Sequence, residues 1–245
     1  MILRISKTWK IDWFIGQDKI PKDEYDFVMF WDDSNSRFFK ELHRYSCPKG
    51  LCLTTDPHNK ENLKTLDVVY VESDPIYNAL RPHGVRTIKA FGTDTSLFKP
   101  KDVDKDIRYF YPATFSPWKR QSAIAHLGED LLCVGTVQPD GRNELEACKE
   151  ADVRIETGYF PANKIVDYYQ RTQQMIIPAI HGSERTVLEA MACNIVPEVN
   201  EKNIRTNSYV KEYNNYGFRT PREFVLDRYS HEVYARKLLE GMEND

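Results

Sequence analysis

A few side chains of this 245-residue sequence combine a reactive type with a setting that would present it. Glu189 is a carboxylate, and a carboxylate can accept from two neighbouring hydroxyls, such as those of a ribose. It also lies off the apolar face of its segment, four residues after Arg185, which suits a surface ion pair. Lys119 and Arg120 are adjacent cations behind Ser116-Pro117-Trp118, able to neutralise a diphosphate leaving group; a solvated pair of charges is the alternative. His181 could touch a sugar or a phosphate, or serve structure alone. Ser183 and Thr186 could bind phosphate or cap a helix, with Glu184 and Arg185 between them. In the first half, His58 and Asp56 share the loop Asp56-Pro57-His58-Asn59 after a predicted strand. Ligands of open α/β sheets bind at the carboxyl ends of strands, although an Asx-turn also explains Asp56. The run Asp32-Asp33-Ser34-Asn35 is open to the same two readings, acceptor site or helix cap.

The element that must position most of these residues runs from His181 to Pro197, HGSERTVLEAMACNIVP. Ser183 is a suitable N-cap, and Glu184 in the first turn suits the helix dipole. Val187, Leu188, Met191 and Ala192 recur at helical spacing as one apolar face. Asn194 tolerates the left-handed conformation that ends helices, and Pro197 prevents a restart. Upstream, Met175 to Ile180 reads as a short buried strand. A strand, a turn and a helix leave free N–H groups at the helix start, a setting for phosphate.

This stretch resembles the donor-nucleotide motif of retaining glycosyltransferases with the GT-B fold, of the group 1 type and similar to family-four enzymes. That family has Glu, seven residues, Glu, then Ala-Met-Ala-Cys-Gly and a Pro soon after. Glu189 and Ala190-Met191-Ala192-Cys193 match the second half, His181 stands at the first Glu, and Asn194 replaces the Gly. The family also carries Arg, four residues, Lys, both cations touching the donor diphosphate. Lys119 matches the Lys, and Thr114 stands at the Arg, leaving Arg120 or Arg185 to compensate. Gly158-Tyr159-Phe160-Pro161 is similar to the family's loop beside the nucleotide base. Asp67 to Ser73, then Gly92, Asp94, Phe98 and Pro100, resemble the end of its N-terminal domain. Usable landmarks run from about residue 65 to 240; the N-terminal half is short for the family, and no Gly-rich acceptor loop is visible.

The rest of the chain alternates short apolar runs with helical segments. Strands are expected at Ile2 to Ile5, Tyr25 to Trp31, Gly50 to Thr55, Asp67 to Glu72, Arg86 to Ala90, Ile107 to Pro112, Asp130 to Gly135 and Val153 to Glu156. Helices are expected between them, including Gln121 to Leu127 and one capped by Asn163; the tail from Tyr229 reads as an amphipathic helix. Residues 7 to 24 show no clear period. The alternation predicts an α/β fold with parallel sheets. The resemblance makes it GT-B-like, with two small Rossmann-like domains facing across a cleft. The expected boundaries are 1–94 for the acceptor side, 95–228 for nucleotide-sugar binding, and 229–245 for a closing helix.

Composition narrows the function classes. Hydrophobic residues are 41% and aromatics 12% of the chain, enough for a real core, and the net charge is −3 without a basic tract, so no nucleic-acid partner is expected. No apolar run approaches the ~20 residues that cross a membrane, and MILRISKTWK lacks a signal-peptide core. Peripheral membrane contact through Trp9, Trp13 and Phe14 stays open beside their burial in a core. Five cysteines without paired spacing fit a reducing cytoplasm, and no CxxC or HxxxH spacing suggests a metal.

The expected function is transfer of a hexose from a nucleotide-diphosphate sugar to a hydroxyl acceptor (glycan, lipid or protein), with retention and with no cofactor or essential metal. Lys119 and the helix start at Ser183 would hold the diphosphate, Glu189 the ribose and Gly158 to Phe160 the base. His58 and His181 would lie near the transferred sugar. The rivals are a non-catalytic binder of the same fold and a nucleotide-sugar epimerase or hydrolase.

Overall fold

A computed structural model describes residues 25–32, 45–55 and 60–242. These residues form two compact units, one of residues up to Phe91 together with the chain end from His231, the other Gly92–Ser230.

The first unit holds a parallel sheet in the order β1-β2-β3-β4, formed by β1 (Val28–Asp32), β2 (Lys49–Leu53), β3 (Val68–Val71) and β4 (Thr87–Lys89). Helix α1 (Lys60–Leu63) precedes β3, and α2 (Asp74–Leu80) follows it, with Pro75 in its first turn. The strands are nearly continuous apolar runs because both faces are covered. Leu51, Leu53, Val69 and Val71 pack with Ile76 and Leu80. Cys52, Val68 and Tyr70 pack instead with Tyr234 and Leu238 of the last helix. The Tyr70 hydroxyl donates to the Leu238 carbonyl at 2.7 Å.

The second unit begins with β5 (Ile107–Pro112), then β6 (Leu131–Gly135), α3 (Arg142–Glu150), β7 (Arg154–Thr157), α4 (Ala162–Arg171), β8 (Thr172–Ile177), α5 (Glu184–Ala192), β9 (Glu198–Val199), α6 (Ile204–Tyr216) and α7 (Pro221–Arg228). Helix α8 (His231–Met242) then joins the first unit. The sheet is parallel in the order β7-β6-β5-β8-β9. The chain therefore builds outward from β5 through β6 to β7, then returns to lay β8 on the other side of β5. The order reverses between β5 and β8, and their carboxyl ends flank the place where open α/β sheets bind ligands. The α/β class and the two parallel sheets agree with the sequence expectation.

Several local expectations need correction. The helix expected at Gln121 to Leu127 is present in 3-10 form, as part of a run Gln121–Asp130 interrupted at Gly128. Pro161, not Asn163, stands at the N-cap of α4, where its ψ of 150 is extended and the helix begins at the next residue. Strand β8 stops at Ile177 because Pro178 follows. The polar, Pro-containing segment 94–106, which its composition suggests as an interdomain linker, is part of the second unit, with Phe98 buried edge-on against Tyr169 at 5.3 Å between centroids.

Arg222 of α7 clips that segment down. Its Nη1 donates to the carbonyls of Phe98 at 2.9 Å and Ala192 at 2.8 Å, and its Nη2 to Thr95 at 3.0 Å. The Ala192 carbonyl is at the carboxyl end of α5, where a cation also suits the dipole. Arg222→Ala leaves these acceptors without their charged donor and should destabilise the protein by about 2–3 kcal/mol. Denaturant unfolding checks this; an unchanged midpoint would show that water replaces the clip.

Candidate functional site

The loop after β5 carries Lys119. Ser116 is buried, and its carbonyl accepts from the backbone N–H of Lys119 at 2.9 Å and of Arg120 at 3.3 Å, closing a tight turn. Arg120 takes a left-handed conformation there (φ 55). The buried Tyr111 hydroxyl donates to the Lys119 carbonyl at 3.1 Å. Behind the turn, Gly135 at the end of β6 has no room for a Cβ, which would lie 2.3 Å from the Ala113 carbonyl oxygen. Thr114 is paired with Thr136, hydroxyl to hydroxyl at 3.0 Å.

The loop after β8 meets that turn. The Ile180 N–H donates to the Trp118 carbonyl at 3.0 Å. Lys119 Nζ donates to Ser183 Oγ at 2.8 Å and to the His181 carbonyl at 3.3 Å. Gly182 makes this approach possible: its φ is +71, and a Cβ there would sit 2.8 Å from Lys119 Nζ. Ser183 is at the N-cap position of α5 but in a left-handed conformation, and its side chain makes no cap hydrogen bond. The capping expectation is therefore corrected: the Ser183 hydroxyl accepts from a cation instead. Burial pushes the Lys119 ammonium below the ordinary lysine range, opposed by the Glu184 charge and reinforced by the Arg205 charge.

Helix α5 is organised as the periodicity predicts. Val187, Leu188, Met191 and Ala192 are fully buried, worth about 1.5–3 kcal/mol for each of the larger side chains. Asn194 ends the helix region at φ +68. Glu184 is not the solvated first-turn carboxylate that the sequence suggests. It is 4% exposed and forms a buried ion pair with Arg205 Nε of α6. Arg185 is exposed.

Glu189 is half-buried, and its Oε2 accepts from the fully buried Tyr169 hydroxyl of α4 at 2.8 Å. Burial pushes the Glu189 carboxyl up to about 7, with the Tyr169 hydrogen bond and the Arg185 charge acting against that rise. The surface ion-pair reading of Glu189 thus gives way to a desolvated, hydrogen-bonded carboxylate.

The base-side loop follows β7. The Gly158 N–H donates to the Gly135 carbonyl at 3.1 Å, which sets the loop beside the end of β6. Tyr159 is 91% exposed, and Phe160 packs under Lys164 Nζ at 4.7 Å. Strand β7 is two positions from β5, about 10 Å at ordinary strand spacing, a span that a nucleoside can bridge. The candidates of the second unit are therefore brought to one edge of the sheet. His58, Asp56, residues 33–35 and the aromatics Trp9, Trp13 and Phe14 lie outside the described residues.

Sequence reasoning missed Arg205 and Asn203. Asn203 Nδ2 donates to the carbonyls of Ala179 at 3.1 Å and Gly182 at 3.0 Å, and its side-chain oxygen accepts from the Thr206 N–H. It ties the Lys119-binding turn to the start of α6. No element was assigned between Pro197 and Tyr229, although Thr220-Pro221-Arg222-Glu223 carries a capping-box spacing with Pro at the first helical position. The structure bears that spacing out: Thr220 Oγ1 accepts from the Glu223 N–H at 3.2 Å, and Glu223 accepts from the Arg219 N–H at 3.1 Å.

A depression of about 1020 Å³ lies elsewhere, at the start of β5 and along edge strand β7, lined by Asp106, Arg108, Asp130, Lys149 and Arg154 among others. It shares no candidate residue. Among the described residues, no group of three or more His, Cys, Asp or Glu could hold a metal ion, and no helix is long and apolar enough to cross a membrane.

No protein-family model and no curated protein sequence matches the chain. Solved structures do. A crystal structure of TarM is 13% identical with a TM-score of 0.63, covering 89% of this chain and 55% of that one. A TarM variant from S. aureus, similar to the same degree, was crystallised with fondaparinux, alpha-GlcNAc-glycerol and UDP. A trehalose-6-phosphate synthase studied with bisubstrate glycomimetics is 8% identical with a TM-score of 0.64, over 90% of this chain and 74% of that one. AviGT4, a glycosyltransferase of avilamycin A biosynthesis, is 14% identical with a TM-score of 0.53, over 81% and 67%. At these identities the likeness is one of fold, and the fold is that of GT-B glycosyltransferases. The chain spans about half the length of TarM, 55%.

Proposed function

We propose that this chain transfers a hexose from a nucleotide-diphosphate sugar to a hydroxyl acceptor, with retention at the anomeric carbon and without an essential metal. Lys119 and the turn through Ser183 hold the diphosphate and stabilise the charge that develops on the leaving group. Glu189 accepts from the ribose hydroxyls, and Gly158, Tyr159 and Phe160 take the base. His181 reaches towards the donor sugar. Orienting donor and acceptor supplies the remainder of the rate enhancement.

The observation that carries this reading is the junction of Lys119 with Ser183 and His181, where the loops after β5 and β8 meet at the reversal of strand order. Calorimetric titration with UDP, GDP and ADP, then their sugar conjugates, without added metal, tests it. Micromolar binding of one nucleotide is expected. Binding of none would sink the donor reading. UDP comes first because it occupies the related TarM fold. The acceptor is a glycan, a lipid or a protein. All five cysteines are free thiols, which fits a cytoplasmic setting.

A non-catalytic binder is the second reading. It is favoured by Thr114, whose hydroxyl meets Thr136 where the resemblance calls for an arginine. It predicts that a sugar conjugate binds and is never consumed. Consumption of donor without acceptor would indicate an epimerase or hydrolase instead.

A further inference from the structure

Phe160 is held by more than its own loop. Lys164, in the first turn of α4, places its Nζ 4.7 Å from the centroid of the Phe160 ring and 5.6 Å from that of Tyr168. Both lie within the ~6 Å over which a ring face attracts a cation. The same Nζ donates to Glu156 Oε2 at 2.7 Å, and the Tyr168 hydroxyl donates to Glu156 Oε1 at 2.6 Å. Tyr168 is fixed from the core, since it is buried and its ring lies 5.7 Å from that of the fully buried Phe110 of β5. A chain of contacts therefore runs from the central strand of the sheet, through Tyr168, Glu156 and Lys164, to a half-buried ring in the loop after β7.

Helix stability does not account for this arrangement. The first turn of a helix disfavours a cation, and the first turn of α4 has no acidic residue to offset Lys164. The Lys164–Glu156 pair is 45% and 38% exposed, and exposed ion pairs contribute little to stability. What the pair does is keep a charge at the ring. The Glu156 hydrogen bond holds the Lys164 ammonium above the ordinary lysine range. Lys164, and after it Tyr168, hold the Glu156 carboxyl below the ordinary carboxylate range. Both groups are thus charged at neutral pH. Phe160 remains partly open to solvent beside Tyr159, at the sheet edge where the Gly158 N–H reaches the Gly135 carbonyl. An aromatic ring with a fixed plane and an accessible surface suits a nucleobase, because every base has a π-face.

We propose that Lys164 is a positioning residue for the nucleoside half of the donor: its ammonium, anchored by Glu156, fixes the Phe160 ring as the platform on which the base stacks. The inference rests on the nucleotide-diphosphate donor reading and deepens it. Lys164 acts through Phe160 and touches neither the diphosphate nor the sugar. Its contribution therefore falls on the base alone.

The test is calorimetric titration of the full chain with whichever of UDP, GDP and ADP binds the wild type best, and with inorganic pyrophosphate in parallel. Phe160→Leu should weaken the nucleotide about tenfold, the scale of one base–aromatic stack. Lys164→Met should weaken it about two- to fivefold, the scale of an exposed cation–π contact. Lys164→Arg should restore the affinity, since a guanidinium also stacks on a ring and pairs with a carboxylate. Pyrophosphate affinity should stay at the wild-type value in all three. Wild-type nucleotide affinity in Lys164→Met, with Phe160→Leu weakened, overturns the positioning role and leaves the platform. Wild-type affinity in Phe160→Leu overturns the platform and the proposal together. Equal losses for nucleotide and pyrophosphate in Lys164→Met overturn the proposal and make Lys164 a structural support of α4. Thermal unfolding monitors the fold. If Lys164→Met does not fold, Glu156→Gln decides by the same two readouts, since it frees the ammonium from its anchor. A wild-type chain that binds no nucleotide refutes the donor reading, and the proposal with it.

Discussion

Lys119→Met should lower turnover of a nucleotide-sugar donor by about 10²–10³-fold, the range for removing one preorganised group that stabilises developing negative charge. The reason is positional. Lys119 Nζ helps to join the loops after β5 and β8, through Ser183 Oγ at 2.8 Å and the His181 carbonyl at 3.3 Å. Its ammonium is already partly desolvated, since burial pushes it down from the usual lysine value. A charge held that way costs little reorganisation when the leaving group develops its own. Because the leaving diphosphate is more negative in the transition state than in the ground state, kcat should fall more than KM rises. A rise in KM at constant kcat would make Lys119 a uniform binding group. Wild-type values for both would remove it from the site.

Glu189→Gln should change both stability and its dependence on pH. The folded-state carboxyl is pushed by burial up to about 7 from an ordinary value of 4.5. The folded protein therefore binds a proton over the window between these values that the unfolded chain has released. Stability contributed by this group is full below 4.5 and is lost as pH rises towards 7. The difference is on the order of 3 kcal/mol at pH 8, from the size of the shift. Glutamine never ionises and can still accept from Tyr169. The variant should be the more stable protein at pH 8 and should lose that part of the pH dependence. Denaturant titrations at pH 4.5 and 8 check it; parallel profiles for variant and wild type would show that Glu189 keeps an ordinary acidity.

The same substitution carries a functional expectation of opposite sign. An ionised carboxylate accepts from two ribose hydroxyls better than a neutral amide does, so nucleotide affinity should fall, by about 1–3 kcal/mol. Wild-type affinity should strengthen as pH rises through 7, where the carboxyl ionises. A stabilised protein with weakened nucleotide binding would mark Glu189 as a group kept for function. A stabilised protein with unchanged binding would make it a structural partner of Tyr169.

What the sequence determined by itself is local. An apolar run without alternation, such as Asp67 to Glu72, foretold a buried parallel strand, because strands covered on both faces have no polar side. The face of α5 and its left-handed end at Asn194 were legible for the same reason: helical period and turn chemistry act within a few residues. Lys119 was singled out by the resemblance, whose Arg, four residues, Lys pattern puts Thr114 at the Arg. The tertiary structure alone decided which charges are buried and with whom. Glu184 looked like a first-turn acid, yet Arg205 reaches it from α6. Glu189 looked like a partner for Arg185 on its own helix, yet Tyr169 takes it from α4. Ser183 looked like a cap, yet Lys119 takes its hydroxyl. Each of these pairings joins elements distant in the chain, and desolvation, which sets their strength, is a property of the packed molecule that no window of residues contains.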